Sequence, residues 1–363
     1  MTADLTLRLS EIGADLAKRA PLVLYAVVAA LESLQSALDV TRRERYQVGP
    51  LIGAGGTAEV FLGIAQGVHE FRRLVAIKRA RVDQEHPRAF VSMLSEEALQ
   101  VARLSHDNVI AAFDFERDAE GRCFLVMEYV DGIDLKALIA TGPIPLSVAI
   151  FIVSELLAGL GYLHRSQDYG DGRVGGLVHR DVKPANVLLS WQGAVKLGDF
   201  GLALMFEQGG TVEARGREGT LMYMSPEQSR RAALDGRSDL YAAGVVLWEL
   251  LARHRLRSEP VDAGMADSVQ PIPHPSEYQP EIPADVEAVA MRLVADAPEE
   301  RYPTAELAVH DLLFCQAAPR NGRGELVCLL DERFPPPDGP GLLAPLSRGS
   351  WHPCTVPRFS EQY

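Results

Sequence analysis

A chain of 363 residues can bury a substantial core, as one large domain or two ordinary ones. Its 47% hydrophobic and 23% charged residues are ordinary for a globular protein. The net charge of −13 argues against nucleic acid as a partner, since no basic excess is available to displace counterions. Cysteines 123, 315, 328 and 354 form no CxxC pair and no metal-ligand spacing, which predicts reduced thiols.

Residues 1–45 carry apolar positions at helical spacing (Leu5, Leu9, Ile12, Leu16, then Leu24, Val27, Val28, Leu31, Leu34, Leu38), with Pro21 dividing two helices. The apolar run Pro21 to Leu31 falls short of the roughly 20 residues that cross a bilayer, so no transmembrane segment is expected. It reads as a docking helix, for a partner or for self-association. The next region, 46–130, is β-rich: strand-like runs lie at Val48–Ile52, Val60–Ala65, Leu74–Lys78, Ala111–Phe115 and Phe124–Tyr129, with one helical pattern at Phe90–Leu104. Residues 131–315 turn helical, at Leu146–His164, Asp239–Ala252, Ala284–Val294 and Thr304–Leu313. A small β-rich lobe followed by a larger helical one is an α+β arrangement with a cleft expected between the two. Residues 316–363, with Arg333 to Pro340 reading RFPPPDGP, are expected to form a flexible Pro/Gly-rich tail.

Three motifs carry chemistry. Gly53-Ala54-Gly55-Gly56 lies between two strands, where glycine lets backbone N–H groups close over phosphates. A dinucleotide site would need a helix after the glycines, and the residues after Val60 read as strand instead. In the second motif, Val75-Ala76-Ile77-Lys78, a lysine ends an apolar strand, and the helix that follows supplies Glu96 and Glu97. Glu97 is the better placed to orient that ammonium. The third motif joins His179-Arg180-Asp181-Val182-Lys183-Pro184-Ala185-Asn186 to Gly198-Asp199-Phe200-Gly201. Asp181 can accept a hydroxyl proton, while Asn186 and Asp199 offer the few oxygen ligands that Mg²⁺ takes from protein.

These motifs, in this chain order, resemble those of bacterial eukaryotic-like (Hanks-type) Ser/Thr protein kinases, from about Tyr46 to Phe314. The wording of HRDVKPAN and EERYPTA is most like that of myxobacterial kinases. The resemblance implies a two-lobed kinase fold, ATP with Mg²⁺ (or Mn²⁺) as cofactors and a protein Ser/Thr hydroxyl as acceptor; reduced thiols and the need for ATP predict a cytoplasmic location. It implies that Ile52, Gly53, Gly55, Gly56 and Val60 cover the nucleotide, that Lys78 contacts the α/β-phosphates and pairs with Glu97, and that Met127 is the gatekeeper. Glu128 to Val130 would be the adenine-binding hinge. Asp181 and Lys183 would be catalytic and Asn186 and Asp199 would hold metal. Thr220 would bridge Asp181 and Lys183, Glu227 would pair with Arg301, and Asp239 would brace the catalytic loop. Arg180, beside the catalytic Asp, calls for an anion, and Thr211 is the only hydroxyl residue between Phe200 and Gly219. That predicts autophosphorylation at Thr211.

The sequence departs from the family in three places. Ala58 stands at the third glycine of the loop, the N-terminal extension is additional, and the stretch from Ala252 to Ile282 is short and rich in proline. The last of these implies altered substrate docking. A pseudokinase scaffold that binds ATP is the alternative reading, although Lys78, Asp181 and Asp199 are all present. A small-molecule phosphotransferase of related fold would lack Thr220 and the Ser225-Pro226-Glu227 segment.

Overall fold

The computed structural model describes residues 45–54, 58–69, 71–80, 104–118, 122–166, 176–199, 221–230, 232–257, 271–335 and 352–353. The N-terminal helical pattern and residues 90–103 of the expected helix lie outside these residues, and Leu104, its expected last residue, is not helical.

Five antiparallel strands build the first lobe: β1 Tyr46–Ala54, β2 Ala58–Gln66, β3 Arg72–Ala80, β4 Ala112–Arg117 and β5 Cys123–Glu128. Each contains the run expected from the sequence, extended by a few residues at one or both ends, except that β4 begins at Ala112 and β5 ends at Glu128. Side chains alternate across a strand, so Val75 and Ile77 point to one face, where they form a small core with Tyr46, Phe124 and Val126. Lys78 therefore belongs to the opposite face. It is drawn into the structure with only 3% of its surface exposed.

The second lobe follows through β6 Gly132–Asp134, α1 Leu135–Ala140 and α2 Leu146–Arg165. The hairpin β7 Val187–Ser190 and β8 Val195–Leu197 extends β6 into a three-stranded sheet. A one-turn helix α3 Pro226–Ser229, then α4 Gly236–Ala252, α5 Ala284–Leu293 and α6 Ala305–Phe314, complete this lobe. Helix α4 is the central pillar, with every residue from Ser238 to Ala252 buried. A helix that is apolar all round needs neighbours all round, and α2 and α5 pack against it.

Helix α2 is long and apolar enough to cross a membrane by length and composition, which the sequence reading passed over. Twelve of its twenty residues are buried, against α4, α6 and the helix described next. It is the core helix of this lobe.

The expectation of a flexible tail from residue 316 is corrected by helix α7, Gly322–Arg333. Leu326, Leu329 and Leu330 have the i, i+3, i+4 spacing of one helical face, and all three are buried. The proline-rich run that follows had masked this stripe. Arg323 donates from Nε to the Gln192 carbonyl (2.8 Å), and Arg333 reaches Thr141 Oγ1 (2.9 Å) and the Gly142 carbonyl (3.0 Å). Phe334 packs on Trp191 at a centroid distance of 5.9 Å. Gly193, in the turn between β7 and β8, has φ +77° and lies so close to the Arg323 carbonyl that a Cβ would approach it to 2.7 Å. Helix α7 thus braces the β7–β8 hairpin. Leu330→Ala is expected to cost about 2–5 kcal/mol through the cavity it leaves, read as a lowered urea midpoint with an unchanged slope. At residues 352–353 the chain pairs with β1, Val48 opposite His352 and Gln47 opposite Pro353.

Candidate active site

The lysine side of the site follows from strand register. Gly53 pairs with Val60, Val60 with Lys78, and Lys78 with Leu125, so one transverse row runs across four strands. Residues directly opposite in a ladder project to the same face. Val60 and Lys78 therefore share the face that carries the lysine, and Ile52, 48% exposed, lies in the same β1 segment. The Lys78 ammonium meets Asp199 Oδ1 at 2.9 Å across 121 residues of sequence. The expected partner Glu97 lies outside the described residues, as do Gly55 and Gly56.

Beyond β5 the chain crosses between the lobes. Glu128 N–H donates to the Ala111 carbonyl (2.8 Å), and its carboxylate bonds Lys196 at 3.0 Å. The Glu128 side chain is thereby committed to Lys196.

The catalytic-loop candidate is built around a buried histidine. His179 is 1% exposed, and burial holds its imidazole below the usual histidine range, hence neutral. Its Nδ1 accepts from Asp181 N–H (3.3 Å), which leaves Nε2–H to donate to the Gly198 carbonyl (3.2 Å). One ring thus connects the residue before Asp199 to Asp181. Gly198 also donates to the Asn186 carbonyl (2.9 Å), and a Cβ there would collide with Ile110. These contacts bring together two motifs that the β7–β8 hairpin separates in sequence.

Asp239, near the start of α4, accepts from His179 N–H and Arg180 N–H, both at 2.8 Å, and from His164 at 2.8 Å. Arg180 has φ +64° and Asp199 φ +53°. Such left-handed backbone is uncommon outside glycine and costs of order 1–2 kcal/mol per residue, so the Asp239 carboxylate is holding a conformation the chain would not adopt alone.

Asp181 itself is gripped on several sides. Lys183 Nζ lies 3.0 and 2.8 Å from its two oxygens, and Asn186 Nδ2 donates to its Oδ2 (3.0 Å) and its carbonyl (2.8 Å). With its NH₂ turned toward Asp181, Asn186 has its carboxamide oxygen left for other work. Lys78 above all holds the Asp199 carboxyl below the usual carboxylate range, and the side chain is about half exposed. One ionised carboxylate and one amide oxygen suit Mg²⁺, which keeps several waters and needs few protein ligands. Among the described residues there is no cluster of three or more His, Cys, Asp or Glu side chains that would suggest a different metal.

Ser225 caps helix α3, which carries Glu227 and Gln228. Glu227 forms a forked pair with Arg301, Nη1 to Oε1 at 2.7 Å and Nη2 to Oε2 at 2.8 Å, and Ser238 adds a 2.6 Å bond. Just upstream, Arg257 donates to the carbonyls of Met222 (3.2 Å) and Met224 (2.9 Å) and to Tyr241 Oη (2.6 Å). Tyr223 Oη donates to Glu249 (2.8 Å), a buried carboxyl whose pKa burial pushes up.

A protein kinase domain model matches residues 46–313. The chain belongs to the protein kinase family. It is 36% identical over 278 residues to serine/threonine-protein kinase PknB of Mycobacterium leprae, covering 74% of this chain and 43% of that protein. It is 33% identical over 262 residues to tyrosine-protein kinase MasK of Myxococcus xanthus, covering 70% of this chain and 40% of the relative. The chain therefore spans less than half the length of these curated relatives. The solved Mycobacterium tuberculosis PknI kinase domain (C20A_R136A double mutant) superposes with a TM-score of 0.55 at 28% identity, over 74% of this chain and 94% of that one.

The kinase fold brings Lys78, Asp199, Asp181, Lys183 and Asn186 into one connected network, with Glu227 and Arg301 joined in a separate pair below it. Thr211 and Thr220 lie outside the described residues. So do residues 258–270 of the shortened stretch; its described flanks supply Arg257 and the Pro273 carbonyl, to which Trp248 Nε1 donates (2.8 Å). Nothing in the sequence marks Arg257, an arginine in a polar loop. Gln228 had a signal that went unread, the S-x-x-Q capping-box spacing from Ser225.

Proposed function

We infer that this chain is a Ser/Thr protein kinase that transfers the γ-phosphate of ATP to protein hydroxyls. The observation that carries the reading is the Asp181 carboxylate, held ready by Lys183 and Asn186 and connected through His179 to the strand end that presents Asp199. Asp181 orients the acceptor hydroxyl and takes its proton. Lys183 lies beside that carboxylate, where it can meet the γ-phosphate, and a lysine two residues after the catalytic aspartate is the choice of Ser/Thr kinases. Lys78, set by Asp199 and in the family by Glu97, serves the α/β-phosphates. Ile52, Gly53, Gly55, Gly56 and Val60 cover the nucleotide, and the Glu128–Val130 backbone receives adenine.

Asn186 and Asp199 would hold Mg²⁺, with Mn²⁺ able to substitute; the metal, when bound, neutralises charge on the phosphate oxygens. Thr211 is the autophosphorylation site, and its phosphate would meet Arg180 beside the catalytic aspartate. Thr220 bridges Asp181 and Lys183. ATP as donor places the reaction in the cytoplasm, and the N-terminal helical pattern at 1–45 serves a partner or self-association.

The test uses the full chain with Mg·ATP labelled at the γ-phosphate and a general protein substrate. Label on phosphoserine and phosphothreonine supports the reading. ATP binding without transfer to itself or to any protein would instead favour a scaffold, and label confined to phosphotyrosine would overturn the acceptor assignment.

A further inference from the structure

The residue that precedes Asp181 is held at both of its backbone polar groups, and only one of the two holds comes from Asp239. Arg180 N–H donates to Asp239 Oδ1 at 2.8 Å, while the Arg180 carbonyl accepts from Gln228 Nε2 at 2.9 Å. That carbonyl begins the peptide bond to Asp181, so its orientation sets where the Asp181 backbone leaves a left-handed residue (φ +64°).

Gln228 has a second contact. Its Oε1 accepts from Ser225 N–H at 3.4 Å, and Ser225 Oγ accepts from Gln228 N–H at 3.3 Å, which closes a capping box over α3. The two contacts fix the amide's orientation, because a flipped amide would face N–H with NH₂ and carbonyl with carbonyl. Capping alone does not call for glutamine, since glutamate serves an N3 position equally well. Only a side chain that accepts at one atom and donates at the other satisfies both neighbours. The contact to the catalytic loop is also the shorter of the two.

We propose that Gln228 is a positioning residue that registers helix α3 to the catalytic base through the Arg180 carbonyl. Its neighbour Glu227 is anchored to Arg301, so the α3 turn is fixed to the body of the lobe, and Gln228 carries that fixed point across to Asp181. Gln228 acts through the Arg180 backbone, and its effect falls on the transfer step. This rests on the kinase reading, in which Asp181 is the base.

Three substitutions separate the two contacts. Gln228→Glu keeps the capping acceptor and loses the donor to Arg180. Gln228→Lys keeps a donor and loses the acceptor, and Gln228→Met loses both. In the full chain with Mg·ATP and a general protein substrate, Glu and Met are expected to lower kcat roughly ten- to a hundredfold, as small misplacements of reacting groups do, with the KM for ATP within about twofold of wild type. Lys is expected to recover most of kcat. Melting temperature should run the other way, with Glu near wild type and Lys lower. Amide exchange measured by mass spectrometry over residues 177–183 should rise in Glu and Met but not in Lys, whether or not the protein transfers phosphate. A kcat that simply follows melting temperature, or a Gln228→Glu protein with wild-type kcat and exchange, overturns the proposal. Wild-type protein that transfers nothing overturns the kinase reading instead, and the exchange pattern then still decides whether Gln228 holds the loop.

Discussion

Asp181→Asn is expected to lower the turnover of phosphoryl transfer by about 10²- to 10⁴-fold, the range that a positioned general base contributes. The substitution preserves shape: an asparagine oxygen can still meet Lys183, whose ammonium lies 2.8 Å from Oδ2, and the backbone carbonyl can still accept from Asn186. What disappears is the negative charge that receives the proton. Binding of Mg·ATP depends on other atoms, so the nucleotide KM should stay within a few-fold of wild type. The melting temperature should move little, because the side chain is partly exposed. Steady-state kinetics with a peptide acceptor, beside isothermal titration with ATP, checks both halves. A variant with turnover near wild type would show that the proton leaves by another route.

Arg301→Met is expected to cause the largest loss of stability from a single side chain, about 3–5 kcal/mol, the cost of leaving a buried charge without its partner. Arg301 is fully buried. Besides its fork to Glu227 it donates to the carbonyls of Ala295 (2.8 Å), Arg237 (2.9 Å) and Asp296 (2.9 Å), so methionine withdraws the donors to three backbone carbonyls and the cation that faces the Glu227 carboxylate. Denaturant unfolding of the variant measures the loss, and adding Glu227→Gln should restore part of it by removing the stranded charge.

The same pair has a pH signature. Burial alone would raise the Glu227 pKa, but bonds from Arg301 and Ser238 prevail and bring it down to about 2. A carboxyl with a depressed folded pKa binds its proton more readily when unfolded. Its stabilisation is therefore complete above the ordinary glutamate pKa near 4.3 and is lost as pH falls toward 2. Melting temperature against pH should show a steeper acid limb in wild type than in the double variant.

Much of the site was legible in the linear chain because phosphoryl transfer needs specific atoms at close quarters. Asp181, Lys183 and Asn186 sit within six residues, so a loop and a single 3-10 turn (Pro184–Asn186) suffice to bring them together. The alternating pattern of β3 placed Lys78 on the face opposite the small core. Other features were hidden because their signal is not local. Arg257 and Gln228 are polar residues in ordinary surroundings until the chain brings backbone carbonyls to them. The α7 stripe of Leu326, Leu329 and Leu330 was obscured by the prolines that follow it.

The sequence by itself determined the reacting groups and the β-then-α order of the lobes, since both follow from side-chain chemistry and short-range periodicity. Only the tertiary structure decided how those groups are held: Asp239 on the N–H and Gln228 on the carbonyl of Arg180, His179 between Asp181 and Gly198, and α7 beneath the β7–β8 hairpin. Each of those contacts joins residues far apart in the chain except the one within the catalytic loop. Their geometry depends on the packing of α4 and on strained backbone that packing stabilises, and neither of these is recorded in the order of the residues.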